Sequence, residues 1–102
     1  MTTQTVLSAT KLQQLLRDFK QQRGAEFDLL SLGYFGSYAR GEAKPNSDVD
    51  IVFETNCPNL FTTAQLREDL VELLERPVDV IRYRERMNPN FKARLEREAI
   101  YV

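Results

Sequence analysis

Three aspartates carry the chemistry that this sequence can offer. Asp48 and Asp50 stand one residue apart where a polar loop runs into the apolar stretch VDIVFE, and Asp79 sits among apolar neighbours in VDVIRY. Side chains two apart on a strand point to the same face. That spacing sets Asp48 and Asp50 side by side, with Val49, Ile51 and Phe53 turned the other way into a core. Two like charges held so close stay ionised together only with a cation between them. Oxygen ligands select a hard cation, and magnesium fits best. If the strand bearing Asp79 lies beside the one bearing Asp50, the three carboxylates form a site able to hold two magnesium ions about 3.5–4 Å apart, the spacing that clamps the attacking and leaving oxygens of a phosphoryl displacement. Asp48 and Asp50 then bridge both ions, and Asp79 holds the one that activates the incoming hydroxyl.

Gly36 and Ser37 supply the complementary half. A Gly-Ser corner between an apolar run and a short helix offers free backbone amides, a hydroxyl and the positive end of a helix dipole, all suited to phosphate oxygens. Arg40, one turn further on, is placed to fork its guanidinium onto a phosphate. Lys44, in the loop, is a weaker candidate. Taken singly, each residue has a structural role that needs no ligand. Gly-Ser serves as a turn and helix cap, Asp48 as a cap on the PNSD turn, Arg40 as a solvated charge, and Asp79 as an edge-strand residue or the partner of Arg82 or Arg84. The combination is what argues for a site.

The elements that must position these residues follow from periodicity. Residues 11–23 place Leu12, Leu15, Leu16 and Phe19 at helical spacing, with Ser8 or Thr10 as cap and Gly24 as stop. FDLLSLGYF, residues 27–35, predicts a strand covered on both faces, ended by Gly36. After the Pro45, Asn46 and Ser47 turn, VDIVFE resumes a strand that NCPN breaks. Thr62 with Gln65 fits a capping box, and Leu66, Leu70, Leu73 and Leu74 continue a helix until Pro77 forbids it. VDVIRY predicts a third strand. Asn88 as cap, Pro89 at the first helical position, and Phe91, Leu95 and Ala99 on one face predict a last helix. The order is helix, strand, short helix, strand, helix, strand, helix, with no repeat and no linker.

Length and composition bound the rest. The chain has 102 residues, 42% hydrophobic and 28% charged, which suits one globular domain over residues 1–102 and leaves no room for a separate substrate domain. A large substrate must therefore meet an exposed surface. A net charge of −1 argues against direct nucleic-acid binding through phosphates. The single cysteine, Cys57, cannot close an intramolecular disulfide, and the absence of histidine leaves any metal to oxygen ligands. The opening MTTQTVLSAT has neither the basic start nor the apolar core of an export signal, and no apolar stretch is long enough to span a bilayer. A reducing cytoplasm is the expected location.

Gly36-Ser37, ten intervening residues, Asp48-Val49-Asp50 and then Asp79 in a later strand resemble the active-site pattern of the nucleotidyltransferase superfamily typified by DNA polymerase beta. The longer string GSYARGEAKPNSDVDI is similar to the minimal nucleotidyltransferases, short proteins paired with HEPN-domain toxins in toxin–antitoxin modules. The resemblance runs from the first helix to LEREAIYV and shows no departure from the motif. It implies an α/β (α+β) fold, polymerase beta-like, with a small mixed sheet flanked by helices. It also implies ATP with magnesium as donor, and transfer of AMP to a tyrosine hydroxyl of a HEPN toxin in a hetero-oligomer, silencing the toxin's ribonuclease activity. On these residues, Gly36, Ser37 and Arg40 hold the donor's phosphates, Asp48 and Asp50 the metals, and Asp79 a metal and the nucleophile's proton.

Two other readings compete. An antitoxin that neutralises by stoichiometric binding alone would not need three intact aspartates. Nucleotidylation of a small molecule such as an aminoglycoside is the work of longer relatives with an added substrate domain. Finally, Arg82, Arg84, Arg86, Lys92, Arg94 and Arg97 form a basic run, read as a solvated surface or as a docking face for an acidic partner.

Overall fold

A computed structural model describes residues 5–102; Met1–Gln4, the start of the segment read as lacking an export signal, lie outside the described residues. Helix α1 spans Ala9–Arg23, and the Ser8 side chain accepts from the Lys11 amide at 3.0 Å. Leu12, Leu16 and Phe19 are its buried stripe. Gly24 follows but keeps a right-handed conformation, φ −59°. The chain leaves through a 3-10 turn at Ala25–Phe27 instead, and Asp28 takes the left-handed conformation, φ 52°. A short aspartate tolerates that region better than most side chains.

Strand β1 spans Leu29–Phe35, shorter than the stretch expected, and only its second half is enclosed: Leu30 is 55% exposed whereas Leu32 to Phe35 are buried. Helix α2, Gly36–Arg40, turns directly off its end and closes on Gly41 at φ 72°. Strand β2 is Val49–Thr55. Helix α3, Leu60–Leu74, begins two residues before the expected cap, because the Asn59 side chain accepts from the Phe61 and Thr62 amides. Thr62 and Gln65 therefore form no capping box, and Gln65 donates to Asp69 at 2.8 Å. Asparagine caps at least as well as threonine, so the earlier residue wins. Strand β3 is Val78–Arg82, and helix α4 is Pro89–Glu98, capped by Asn88 with Pro89 in its first turn. A two-residue strand that periodicity did not reveal, β4 at Ile100–Tyr101, completes the sheet.

The strands lie in the order β3-β2-β1-β4. β1 pairs antiparallel with β2 and with β4, while β2 and β3 are parallel and joined by α3 as crossover. The sheet is therefore mixed, with helices on both faces. Leu12, Leu16 and Phe19 of α1 and Leu66, Leu70 and Leu74 of α3 pack with Leu32, Tyr34, Ile51 and Phe53 on one face. On the other, Leu95 and Phe91 of α4 meet Phe35, Val52 and Ile81. β2 is thus covered on both sides, and Val52, which shares the face of Asp50, is buried. No helix among the described residues is long and apolar enough to cross a membrane.

Candidate active site

The register of the parallel ladder decides which carboxylates meet. Asp50 of β2 is the direct partner of Asp79 of β3, between the pairs Val49 with Val78 and Ile51 with Val80. Strands so paired lie about 4.8 Å apart, and partners point to the same face. Asp50 and Asp79 therefore stand side by side at the end of the sheet, on the face that α4 covers further along. Asp48 is not within β2, as its spacing had suggested; it ends the loop, one step before the Val49 amide that donates to the Pro77 carbonyl at 3.0 Å. Asp48 and Asp79 are exposed and Asp50 is half-buried.

Electrostatics link the three. Burial, then Asp79, then Asp48 push the Asp50 carboxyl above its ordinary range, against the pull of Arg94 and Arg40. Among the described residues no three acidic or cysteine side chains are already gathered as a metal cage. Neighbouring carboxylates repel, and oxygen donors of this kind are the chemistry that a hard divalent cation such as magnesium takes.

The Gly-Ser corner lies against this group. Phe35, the last residue of β1, is the ladder partner of Asp50, so the chain turns into α2 beside it. Gly36 has φ +72°, and a Cβ there would stand 2.1 Å from Asp50 Oδ2. Tyr38, two residues on, anchors α2 in the main core, and its hydroxyl accepts from Arg76 at 2.9 Å. Ser37, in the first turn of α2, is half-buried. Arg40 is held on two sides, donating from Nε to Glu42 at 2.7 Å and from Nη1 to Glu98 at 3.0 Å.

Glu98 was not among the residues singled out from sequence. It also accepts from the Gly36 amide at 2.8 Å, and Arg94 Nε lies 3.5 Å from it. Burial works to raise the Glu98 carboxyl, but the bonds from Arg40 and the Gly36 amide, with Arg94, outweigh it and hold it below the usual range. The basic run is correspondingly divided. Arg94 turns toward the site, Lys92 pairs with Glu85 at 3.0 Å, and Arg84 and Arg86 remain exposed.

Asp50 carries a stability consequence. Its raised pKa means that the folded chain favours the protonated form, a contribution complete below the unfolded pKa and lost as pH rises through the folded one. Ionised Asp50 therefore weakens the metal-free fold at neutral pH. Asp50→Asn is expected to raise the melting midpoint of the metal-free protein by a few degrees at pH 7, with the difference shrinking as the pH falls toward 4. A midpoint that falls at pH 7, or a gain that grows in acid, contradicts this.

The sequence matches the nucleotidyltransferase domain model over residues 12–102. It is similar to the protein adenylyltransferase MntA of Thermococcus cleftensis, 33% identical over 98 residues that cover 95% of this chain and 98% of that one. Among solved structures, a candidate minimal nucleotidyltransferase superposes with a TM-score of 0.70 at 32% identity, over 82% of this chain and 86% of that one. A toxin–antitoxin complex with AMP-PNP superposes at 0.67 over 93% of this chain and 72% of that one; its 24% identity speaks for the fold alone.

Proposed function

The chain belongs to the nucleotidyltransferase domain family, and on that premise we propose that it transfers AMP from ATP to a tyrosine hydroxyl of a partner HEPN ribonuclease toxin, inactivating it. The observation that carries the reading is the pairing of Asp50 with Asp79 directly beside the Gly36 corner.

Each residue has a role in that scheme. Gly36 and Ser37 present backbone and hydroxyl donors to the triphosphate, and Arg40 keeps unused guanidinium donors for a phosphate oxygen. Asp48, Asp50 and Asp79 hold two magnesium ions, which supply charge neutralisation at the phosphates. Asp79 lies exposed on the sheet's edge strand, where a folded acceptor can bring its hydroxyl, and takes the proton as that oxygen attacks the α-phosphorus. The bond to the β-phosphate oxygen breaks and pyrophosphate leaves. Positioning and charge do the work, so the lack of histidine is no obstacle.

A protein acceptor also suits the surface. Leu60 and Phe61, at the start of α3, are each 88% exposed, and apolar side chains so bare are of the kind a partner covers. The test is incubation with labelled ATP, magnesium and the product of the neighbouring gene. Label on a tyrosine of that neighbour is expected; an unlabelled neighbour alongside activity on another acceptor refutes the proposal.

A further inference from the structure

We infer that Glu98 is a positioning residue of the nucleotide site, setting the Gly36 corner and the Arg40 guanidinium for a triphosphate; the inference rests on the nucleotide-transfer reading above. Glu98 closes α4. A carboxylate in the last turn of a helix opposes the helix dipole, so its place is justified by what it meets. What it meets is the corner: the Gly36 amide at 2.8 Å and Arg40 Nη1 at 3.0 Å. Its side chain is only 15% exposed, so these bonds are little diluted by water.

The sheet dictates this meeting. Tyr34 of β1 pairs antiparallel with Ile100 of β4. That pairing brings the last turn of α4 and the first turn of α2 together at the end of the sheet, beyond both strands, and the Glu98 side chain bridges them.

Arg40 is clamped by two carboxylates of unequal worth. Glu42 is 65% exposed, and an exposed pair contributes little. Glu42 lies closer, at 2.7 Å against 3.0 Å, but Glu98 is the better shielded from water. Glu98 accepts from Nη1 and leaves other N–H donors for a phosphate. Without it, Arg40 must be ordered by the substrate, and that entropy is subtracted from binding.

The test is steady-state transfer with ATP as the varied substrate. Glu98→Ala is expected to raise the KM for ATP about tenfold, with kcat within about threefold, because the loosened groups touch phosphates rather than metal. Glu98→Gln keeps an acceptor for the Gly36 amide and should recover at least half of that loss on a logarithmic scale. Should the alanine variant not fold, Glu98→Asp replaces it: a methylene shorter, it loses reach and should show a higher KM than Glu98→Gln. Wild-type KM in the folded variants overturns the inference. So does tighter ATP binding, the outcome if Glu98 merely occupies an anion site that the triphosphate must clear. A native chain that neither binds ATP nor transfers AMP overturns the nucleotide-transfer reading itself, a failure distinct from these.

Discussion

Replacing both Asp48 and Asp50 by asparagine is expected to slow nucleotide transfer by at least about a thousandfold, the scale on which groups that stabilise developing charge act. Asparagine keeps the size of each side chain and removes its charge, so the change reports on electrostatics rather than packing. Asp48 is exposed and Asp50 half-buried, so neither substitution leaves a cavity in the core. Burial and its acidic neighbours already disfavour the charged form of Asp50. The doubly changed chain should therefore melt no lower than the native one in the absence of metal. Millimolar magnesium gives a second readout, independent of turnover: it should raise the native midpoint by mass action and leave the variant's unmoved. A variant retaining more than about a tenth of the native rate would end the metal-carboxylate account. If the variant still neutralises its partner at equal stoichiometry, occlusion suffices and the chemistry is dispensable.

Gly36→Ala should damage nucleotide transfer far more than the same methyl at Gly41. Two independent effects converge on Gly36. The backbone sits at φ +72°, where a side chain costs roughly 1–2 kcal/mol. The new carbon also lands 2.1 Å from Asp50 Oδ2 and 3.0 Å from its Cγ, so Asp50 must move. Gly41 provides the internal comparison, with the same φ of +72° and nothing within 4 Å of an added Cβ. Gly41→Ala should lose only the conformational part, about 1–2 kcal/mol in a urea melt, with transfer nearly intact. Gly36→Ala should lose a similar conformational part in stability but transfer below about 1% of native, because the side chain it displaces is the Asp50 carboxylate proposed to hold the metal. Equal losses of transfer for the two variants would mean that the corner does not press on Asp50.

What could be read from residues alone depended on how local the cause was. Helical spacing identified α1, α3 and α4, and alternation identified β2 and β3, since both periods are imposed by the chain's own geometry. Asn88 and Ser8 were legible as caps. Asn59 was not, because Thr62 and Gln65 present an equally good pattern three residues on. Alternation also places Asp50 and Asp79 each on a face. It cannot say that their strands are neighbours; the crossover through α3 decides that.

Glu98 marks the other limit. A two-residue strand is too short to show any alternation, and without β4 nothing relates residue 98 to residue 36. Glu98 and Arg94 then look like one more solvated pair at i and i+4 on a charged helix. The corner's amide, the clamp on Arg40 and the register that joins them become visible only together.

The parallel pairing of β2 with β3 also bears on time. Asp50 and Asp79 are distant along the chain, and a parallel ladder closed across a long crossover is among the slower steps a domain of this size must complete. Their repulsion therefore enters as that ladder closes. Relieving it should speed the formation of the native state if the ladder is part of the rate-limiting barrier, a change read directly from refolding rates with and without magnesium.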